Sequence, residues 1–444
     1  MTDKQAQAGF FILRSVKLRP LFPGKETPSQ KNQSDFIDLT KVVTSWTLSE
    51  SINAPYISGR MTIQESNNLL EDVPIRGEES LQIIVTDFYG ETKTYDFIVY
   101  AVDNISPDSS INDRMMKYTL DFTTVDKLNA DTKEIKRSFG KQPISAMVQS
   151  IFNEYYSDSK KRIEIEETDG EQTLVIPNLR PDAAMQFLSR RAYSNKNKSS
   201  LYRFFETREK YFFCTHEYLI EKYGEFKGKT VSERNRLFFN YSVLDDNTGP
   251  GQLKAQQAVN DITYGKKADS FAEMKDGAYR RNVTELDIAN RTRISRQYDY
   301  AEEYKDYKAP SDLKLTHSQE FLDSYMPSAL APSTTLITDF AQIGQNRGEQ
   351  DKPYQHFYEN YTTKPAVDYH MNLNSFTIDI NGQNEIYPGM VINLDLYKFS
   401  NTLAGTRETD SERSGKYFVM GISHSFKGDV YKQSLTITKG GLAS

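Results

Sequence analysis

The chain has 444 residues, enough for roughly two to four domains that each bury a core of their own. Its 55 basic and 61 acidic side chains give a formal net charge of -6, which argues against binding of nucleic acid by the protein surface as a whole. The single cysteine, Cys214, excludes an intramolecular disulfide and a thiolate metal cluster, and no long apolar run predicts a membrane span. The N-terminus has no basic region followed by an apolar one, so we expect folding in a cytoplasm without a secretion signal.

The first part of the chain is predicted to be an antiparallel β-sheet with one face exposed to solvent. Short runs rich in β-branched and aromatic residues are bounded there by turn residues, at 42–48, 59–64, 81–87, 95–102 and 117–123. The last run alternates without a fault, which places Tyr118, Leu120 and Phe122 on one buried face.

The middle of the chain changes to a helical period. After Pro143 the apolar residues recur up to Tyr155 at the spacing of an amphipathic helix, and a second helix is predicted to open at Pro181. Strand-like runs follow at 201–205 and 211–214, and Cys214 is predicted to be a small buried hydrophobe within the second. This segment is predicted to be a small α/β module.

Two different patterns fill the last part of the chain. Residues 266–365 are polar and tyrosine-rich without a clear period, so we expect helices and long loops there. Alternation returns at 375–380, 390–396, 417–424 and 433–438, which predicts strands again. Buried positions of both β regions form the predicted barrel wall: Tyr118, Leu120, Phe122, Phe376, Ile378, Ile392, Leu394, Phe418, Leu435 and Ile437.

The two β regions can be matched strand by strand. The pairs are 59–63 with 375–378, 81–85 after Gly77 with 391–394 after Gly389, 95–99 with 416–419, and 118–122 with 433–437. Strand patterns also recur by chance in β proteins, so duplication and coincidence both stay open. If the match is real, three chains around an axis would present six similar units to a six-fold neighbour.

The sequence GISHS, residues 421–425, places a histidine beside a serine but does not predict a nucleophile. A nucleophile elbow needs a sharp turn between a strand and a helix, whereas these residues lie in an alternating strand. Ser423 and His424 then point to opposite faces and cannot act as nucleophile and base. We expect this segment to be barrel wall.

The other chemical motifs also favour structural roles, so no catalytic, metal or cofactor residue is predicted. The lysine-rich segment 224–230 has three residues between its glycines where a phosphate loop needs four. Asp245 and Asp246 precede a Gly-Pro-Gly turn, and His317, His356 and His370 lack metal-ligand spacing. A carboxylate pair for glycoside cleavage stays open, because its defining distance is spatial.

One polar connection between two predicted strands contains apolar residues. They are Leu69, Leu70, Val73 and Ile75. The loop either folds back on its own barrel or contacts a stacked partner, as a candidate inter-ring contact loop.

Five segments, in this order, carry a resemblance to a known family: 70–79, 176–192, 201–208, 387–394 and 415–438. Together they resemble the baseplate hub proteins of contractile-tailed bacteriophages, relatives of the phage late control proteins and of the hub portion of type VI secretion spikes. The resemblance implies a homotrimer with two tail-tube-like β-barrel domains per chain. Such a trimer forms a pseudo-hexameric ring between the tail tube protein ring and the central spike protein. DNA only passes through its channel.

The resemblance also implies contacts of the insertions with other baseplate proteins, no cofactor, no membrane insertion, and a place in the virion after assembly in the host cytoplasm. The expected fold class is α+β, mainly antiparallel β. The expected domains are 1–128 (first barrel), 129–229 (α/β insertion), 230–265 with 366–438 (second barrel), 266–365 (outer insertion) and 439–444 (tail). A hub of a related contractile injection or secretion particle, and a tail-associated peptidoglycan hydrolase, are the alternatives.

Overall fold

The computed structural model describes residues 8–20, 36–66, 69–72, 75–107, 115–224, 236–240, 255–265, 269–287, 291–304, 315, 317–337, 361–373, 375–397, 409–411 and 413–439. The fold is α+β and mainly antiparallel β, as the sequence predicts. None of its helices within these ranges has the length and apolar character needed to cross a membrane.

The first β region forms the five predicted strands and two strands that the sequence did not predict. They are β1 (Ile12–Pro20), β2 (Ile37–Asp38), β3 (Val43–Ser51), β4 (Ser58–Glu65), β5 (Glu79–Thr86), β6 (Thr92–Pro107) and β7 (Met116–Thr123), with the short helix α1 (Leu69–Asp72) before β5. The predicted strands are β3 to β7, and the two without a prediction are β1 and β2. The inward positions of these strands make one core that includes Trp46, Tyr118 and Phe122.

The middle segment forms the predicted α/β module. Its elements are α2 (Val125–Asp131), β8 (Ile135–Gln142), α3 (Ile144–Tyr155), β9 (Ile163–Ile165), β10 (Gln172–Leu179), α4 (Pro181–Ser189), β11 (Arg203–Glu206), β12 (Tyr211–Cys214) and α5 (His216–Tyr223). Pro143 occupies the N-cap position of α3, and Pro181 is the first residue of α4. Cys214 is fully buried, and burial raises the pKa of its thiol well above the ordinary value.

The prediction of helices and long loops for 266–365 was incomplete. After β13 (Phe238–Asn240) and β14 (Val259–Tyr264), the chain forms α6 (Ser270–Asp276), β15 (Arg280–Asp287), β16 (Thr292–Asp299), α7 (Tyr300–Glu303), α8 (Gln319–Tyr325), a 3-10 turn (Ser328–Leu330) and β17 (Ser333–Ile337). The strands make a three-stranded sheet in the order β16-β15-β17. The sequence hides it because polar contacts help to hold it: Arg280 pairs with Asp299 at 2.6 Å and with Asp323 at 2.7 Å.

The last part contains α9 (Thr363–Leu373), β18 (Ser375–Asn381), β19 (Val391–Asp395), β20 (Gly415–Lys427) and β21 (Val430–Thr438). These strands join those of the first β region in one 13-stranded sheet, in the order β14-β18-β21-β20-β3-β4-β7-β6-β5-β1-β2, with β19 pairing β20 and β13. A separate core lies under β18–β21, and a further cluster combines residues of α5, α8, α9 and β20. The two insertions therefore share apolar contacts with the end of the large sheet.

The strands that the sequence analysis matched occupy equivalent places in the sheet. We define the first unit as β3–β7, and the second unit as β14 with β18–β21. The neighbour orders are β3-β4-β7-β6-β5 and β14-β18-β21-β20-β19, antiparallel throughout. Because antiparallel order alone recurs by chance, smaller irregularities are the sharper test.

Three irregularities recur at equivalent places in the two units. The β3–β4 register shifts between Val43 and Ser45, and the β14–β18 register shifts between Val259 and Asp261. The β6–β7 and β20–β21 registers shift at Val99/Ala101 and Val419/Gly421. Gly77 and Gly389, which precede β5 and β19, have φ of 86° and 93°. Since bulges and left-handed glycines are specific backbone features, these matches favour duplication over coincidence.

Candidate functional site

The strand β20 belongs to both units. Its first residues pair with β19 of the second unit, from Gly415 opposite Leu394. From Gly421 to Lys427 it pairs instead with β3 of the first unit, residues 45–51. The Ile52 N–H donates to the Met420 carbonyl at 2.9 Å where the change of neighbour begins. We call the pairing of β20 with β3 the internal joint.

A buried polar network lies under the internal joint. The Glu50 carboxylate of β3 is 2.9 Å from His424 Nε2 and 2.7 Å from Arg208 Nε. His424 Nδ1 is 2.8 Å from the Tyr431 hydroxyl, and all of these side chains are almost fully buried. A buried carboxylate and guanidinium are tolerated because each is the other's counter-charge.

The electrostatics of this network fix its proton positions. Burial disfavours the charged form of Glu50, but Arg208 and the His424 hydrogen bond outweigh it and hold the pKa of the carboxyl below its ordinary value. Burial and the nearby Arg208 charge lower the pKa of His424 to about 4, so the imidazole is neutral near pH 7. His424 then donates from Nε2 to the carboxylate and accepts at Nδ1.

Arg208 also fixes the α/β module to both units. It lies in the turn between β11 and β12, and its backbone N–H donates to Glu50 Oε2 at 3.2 Å. Its guanidinium donates to the Tyr95 hydroxyl of the first unit at 3.3 Å and to the carbonyl of Ile386, in the connection between β18 and β19. One side chain therefore ties three parts of the chain together.

The GISHS segment is part of the internal joint. Ser423 is exposed and His424 is buried, so the two side chains lie on opposite faces as predicted. The His424 imidazole is committed to Glu50 and Tyr431. The arrangement supports a structural role and offers no serine-histidine hydrogen bond.

Within the two units, two strand edges remain open in the part of the chain that the structure describes. The strand β14 pairs only with β18, so its outer edge has no partner strand there. Beyond Ile98, β6 pairs with β7 on one side and with no described strand on the other. Tyr100 and Tyr264 on these edges are 53% and 45% exposed. Open edges with exposed aromatic residues are a common starting point for contacts between chains.

The predicted contact loop packs in part against its own unit. Leu69, Leu70 and Ile75 are half-buried against the core of the first unit. Val73 lies outside the described residues. These contacts favour a loop folded back on its own unit, and a role in binding a stacked ring stays a proposal.

Most of the predicted wall residues lie in the two cores. Eight of the ten are fully buried there, and Phe376 is half-buried against the second core. Phe418 is also buried, but it packs with the cluster shared by the insertions, on the other side of β20. The bulge at Val419 and Gly421 explains the difference, because it changes which residues of β20 face the second core.

The remaining motifs show no site among the described residues. Gly224 ends α5, while 225–230, 241–254 and His356 lie outside those ranges. His317 pairs with Glu273 at 2.5 Å and His370 stacks on Tyr300, so both make local structural contacts. Within the same ranges no group of three or more metal-ligating side chains is placed to hold an ion.

The comparisons with known proteins bear on the fold. No family model and no curated protein matches the chain. The tail protein from Neisseria meningitidis MC58 has a similar structure, with a TM-score of 0.51 and 10% identity over 97% of this chain and 96% of that one. The 43 kDa tail protein of prophage MuSo2 from Shewanella oneidensis gives 0.50 and 8% over 96% and 98%. The fold that the resemblance implied, that of phage tail proteins, is confirmed.

Proposed function

We propose that this chain is a structural subunit of a phage tail baseplate, the hub that joins the tail tube to the central spike. The repeated unit, built twice into one continuous sheet, carries this proposal. Two tail proteins, one of them from a prophage, share the fold over almost the whole length of both chains, which supports the same role. No enzymatic step is part of the proposed function.

In the proposed assembly, three chains form a ring of six similar units. Each chain contributes two units related by the internal joint, so a three-fold assembly offers a six-fold surface to the tail tube. The spike contacts the three-fold side, and the insertions contact other baseplate proteins. This arrangement resolves the symmetry mismatch between a hexameric tube and a trimeric spike.

The exposed face of the internal joint suits a channel wall. Thr47 and Ser49 of β3 and Ser423 and Ser425 of β20 are exposed on this face. Hydroxyl groups bind phosphate far more weakly than clustered lysine or arginine, which are the groups that retain DNA. The same face also carries Arg60, which pairs with Asp121, and the exposed Lys427 and Lys432. We propose that this face lines the channel, where DNA in transit meets mainly hydroxyl groups and a few separated positive charges.

The experiment is a mass and shape measurement on the purified full-length chain. Mass photometry should give about three times the 51.0 kDa chain mass, and negative-stain images should show a ring with a central hole. A protein that stays monomeric at micromolar concentration contradicts the proposal. The ring should also bind the tube and spike proteins of its own particle, and clearing of a peptidoglycan suspension by the chain would favour the hydrolase alternative.

A further inference from the structure

The internal joint provides a template for a contact between chains. In the second unit, β14 occupies the place that β3 has in the first, and in the first unit, β6 occupies the place that β20 has in the second. The joint consists of the outer edge of β3 and the last part of β20. The equivalent edges, on β14 and the last part of β6, are the two open edges described above.

Individual residues of the two edges can be assigned by their partners. Ser106 lies opposite Lys117 of β7, as Ser425 lies opposite Lys432 of β21. Thr263 of β14 lies opposite Thr377 of β18, in the place that Thr47 of β3 has opposite Arg60 of β4. Within the internal joint, Ser425 is directly opposite Thr47. The equivalent pair across two chains is Ser106 with Thr263.

Exposure differs between the closed joint and the open edges at equivalent positions. Met420, next to the joint, is 3% exposed, whereas its equivalent Tyr100 is 53% exposed. Leu48 in the joint is 1% exposed, whereas its equivalent Tyr264 is 45% exposed. Leu48 packs in the core of the first unit and Met420 in the cluster shared by the insertions. The open edges leave large side chains at the equivalent positions exposed to solvent, as expected of surfaces that become buried in an assembly.

We propose that the outer edge of β14 pairs antiparallel with the last part of β6 of a second copy of this chain, with Thr263 opposite Ser106. This contact reproduces between chains the joint that β3 and β20 make within one chain. It rests on the proposed ring and adds its subunit contact and register. Since the two edges differ, the contact is heterologous and repeats head to tail until the ring closes.

Two features of β6 restrict the length of this pairing. Asn104 has φ of 54° within a second register shift between Asp103 and Ser106. Pro107 ends the strand and cannot donate a backbone hydrogen bond. A bulge and a terminal proline protect an open edge from nonspecific strand pairing. Here they leave only a short stretch of β6 for the partner strand.

The test is disulfide cross-linking of the full-length double variant Ser106→Cys with Thr263→Cys. Both positions are exposed, and they correspond to a pair in the joint that lies between hydrogen-bonded pairs, where side chains approach closely. Mild oxidation should give covalent dimers and trimers on a non-reducing gel. Each single variant should give no ladder beyond one covalent dimer.

The internal joint supplies a matched control. The variant Ser425→Cys with Thr47→Cys should form a disulfide within one chain, seen as a change in gel mobility without added mass. The variant Ser106→Cys with Asp261→Cys, shifted by two residues, should cross-link several-fold less.

The outcomes separate the two proposals. If light scattering shows a trimer but the double variant Ser106→Cys with Thr263→Cys gives no ladder, the inferred pairing is overturned. The proposed hub function is then unaffected. Equal cross-linking by the shifted variant overturns the register. A monomer in every variant and in the parent chain overturns the proposed hub itself.

Discussion

At the scale of single residues, Glu50 is the centre of the internal joint. Its carboxylate neutralises the buried Arg208 and accepts from His424, whose ring is held in place by Tyr431. Burial disfavours the charged form of Arg208, but the Glu50 charge outweighs it and raises the pKa of the guanidinium. The stability of the joint is therefore sensitive to one carboxylate.

Replacing Glu50 with glutamine should lower the free energy of unfolding by about 3 to 5 kcal/mol, because it leaves a buried guanidinium without a counter-charge. Urea unfolding followed by circular dichroism measures this change. The matched control is Asp121→Asn, which breaks the exposed Arg60–Asp121 pair and should cost about 1 kcal/mol or less. Equal losses in the two variants would contradict the role of Glu50.

Acid should destabilise the protein partly through its buried histidines. Burial lowers the pKa of His216 to about 3 and the pKa values of His370 and His424 to about 4, while an unfolded histidine titrates near 6.5. The unfolded chain therefore binds more protons, so stability is fully present above pH 6.5 and declines as the pH falls towards 4. Urea midpoints at pH 7.0, 6.0 and 5.0 measure the decline.

His424→Gln isolates one contribution to that acid response. The variant should be less stable than the parent at pH 7, since it loses part of the Glu50 network, but its midpoint should fall less steeply between pH 6.5 and 5. Parallel curves for the parent and the variant would show that His424 does not titrate in this range.

Residue-level prediction from the sequence succeeded only for local geometry. The period of a strand is enough to place Ser423 and His424 on opposite faces. The partners of Glu50 are 158 and 374 residues away in sequence, and an isolated arginine in a hairpin carries no signal of them. The network was therefore missed, although a buried alternating position occupied by histidine was a hint that polar partners exist.

At the scale of elements, the turn after β18 shows how closely the strands are packed. The Gly382 N–H donates to the Tyr431 carbonyl at 2.8 Å, and a Cβ on Gly382 would lie 2.2 Å from the Tyr431 ring. The dipeptide Asn381-Gly382 is typical of a turn, and the close approach gives a second reason for glycine.

Gly382→Ala should destabilise the protein by about 2 to 3 kcal/mol, because the aromatic ring or the backbone has to move. Gly140→Ala is the control, since an added Cβ there meets nothing within 4 Å and the backbone is not left-handed. Thermal unfolding of both variants measures the difference. A Gly382 variant as stable as the control would mean that Tyr431 has room to move.

Element prediction followed the strength of each periodic pattern. The strands β3–β7 and β18–β21 and the helices α3 and α4 were predicted because burial on one face imposes a period. The sheet β15–β17 was missed because Arg280 and its two carboxylate partners support it in place of an apolar stripe. Ion pairs carry no periodic signal in the sequence.

At the scale of the whole molecule, assembly should depend on the open edges and not on general apolar exposure. Tyr264→Asp places a charge on the outer edge of β14 and should raise the dissociation constant of the proposed ring at least tenfold, because that position becomes buried in the contact. Sedimentation velocity over a concentration series measures this. Phe271→Asp is the control, since Phe271 is 85% exposed but lies on α6 and on neither strand edge.

A ring weakened equally by both variants would contradict an edge contact. Unchanged circular dichroism spectra would confirm that neither variant unfolds the monomer.

The sequence indicated the repeat of the whole molecule but not how the repeats are joined. Matching alternation and a shared glycine before β5 and β19 were visible in the sequence. The sequence did not predict that β20 changes its partner from β19 to β3. Strand pairing uses backbone groups at the two edges of a strand, and the side chains do not specify which strand pairs there. The joint depends on long-range geometry.

The sharing of β20 has a mechanical consequence. A force that pulls the amino-terminal half away from the carboxy-terminal half must shear the row of backbone hydrogen bonds between residues 421–427 and 45–51 all at once. A protease cut in the polypeptide between the halves would leave them held together by this strand pairing. The chain should therefore transmit load as one rigid unit and not as two units joined by a flexible linker.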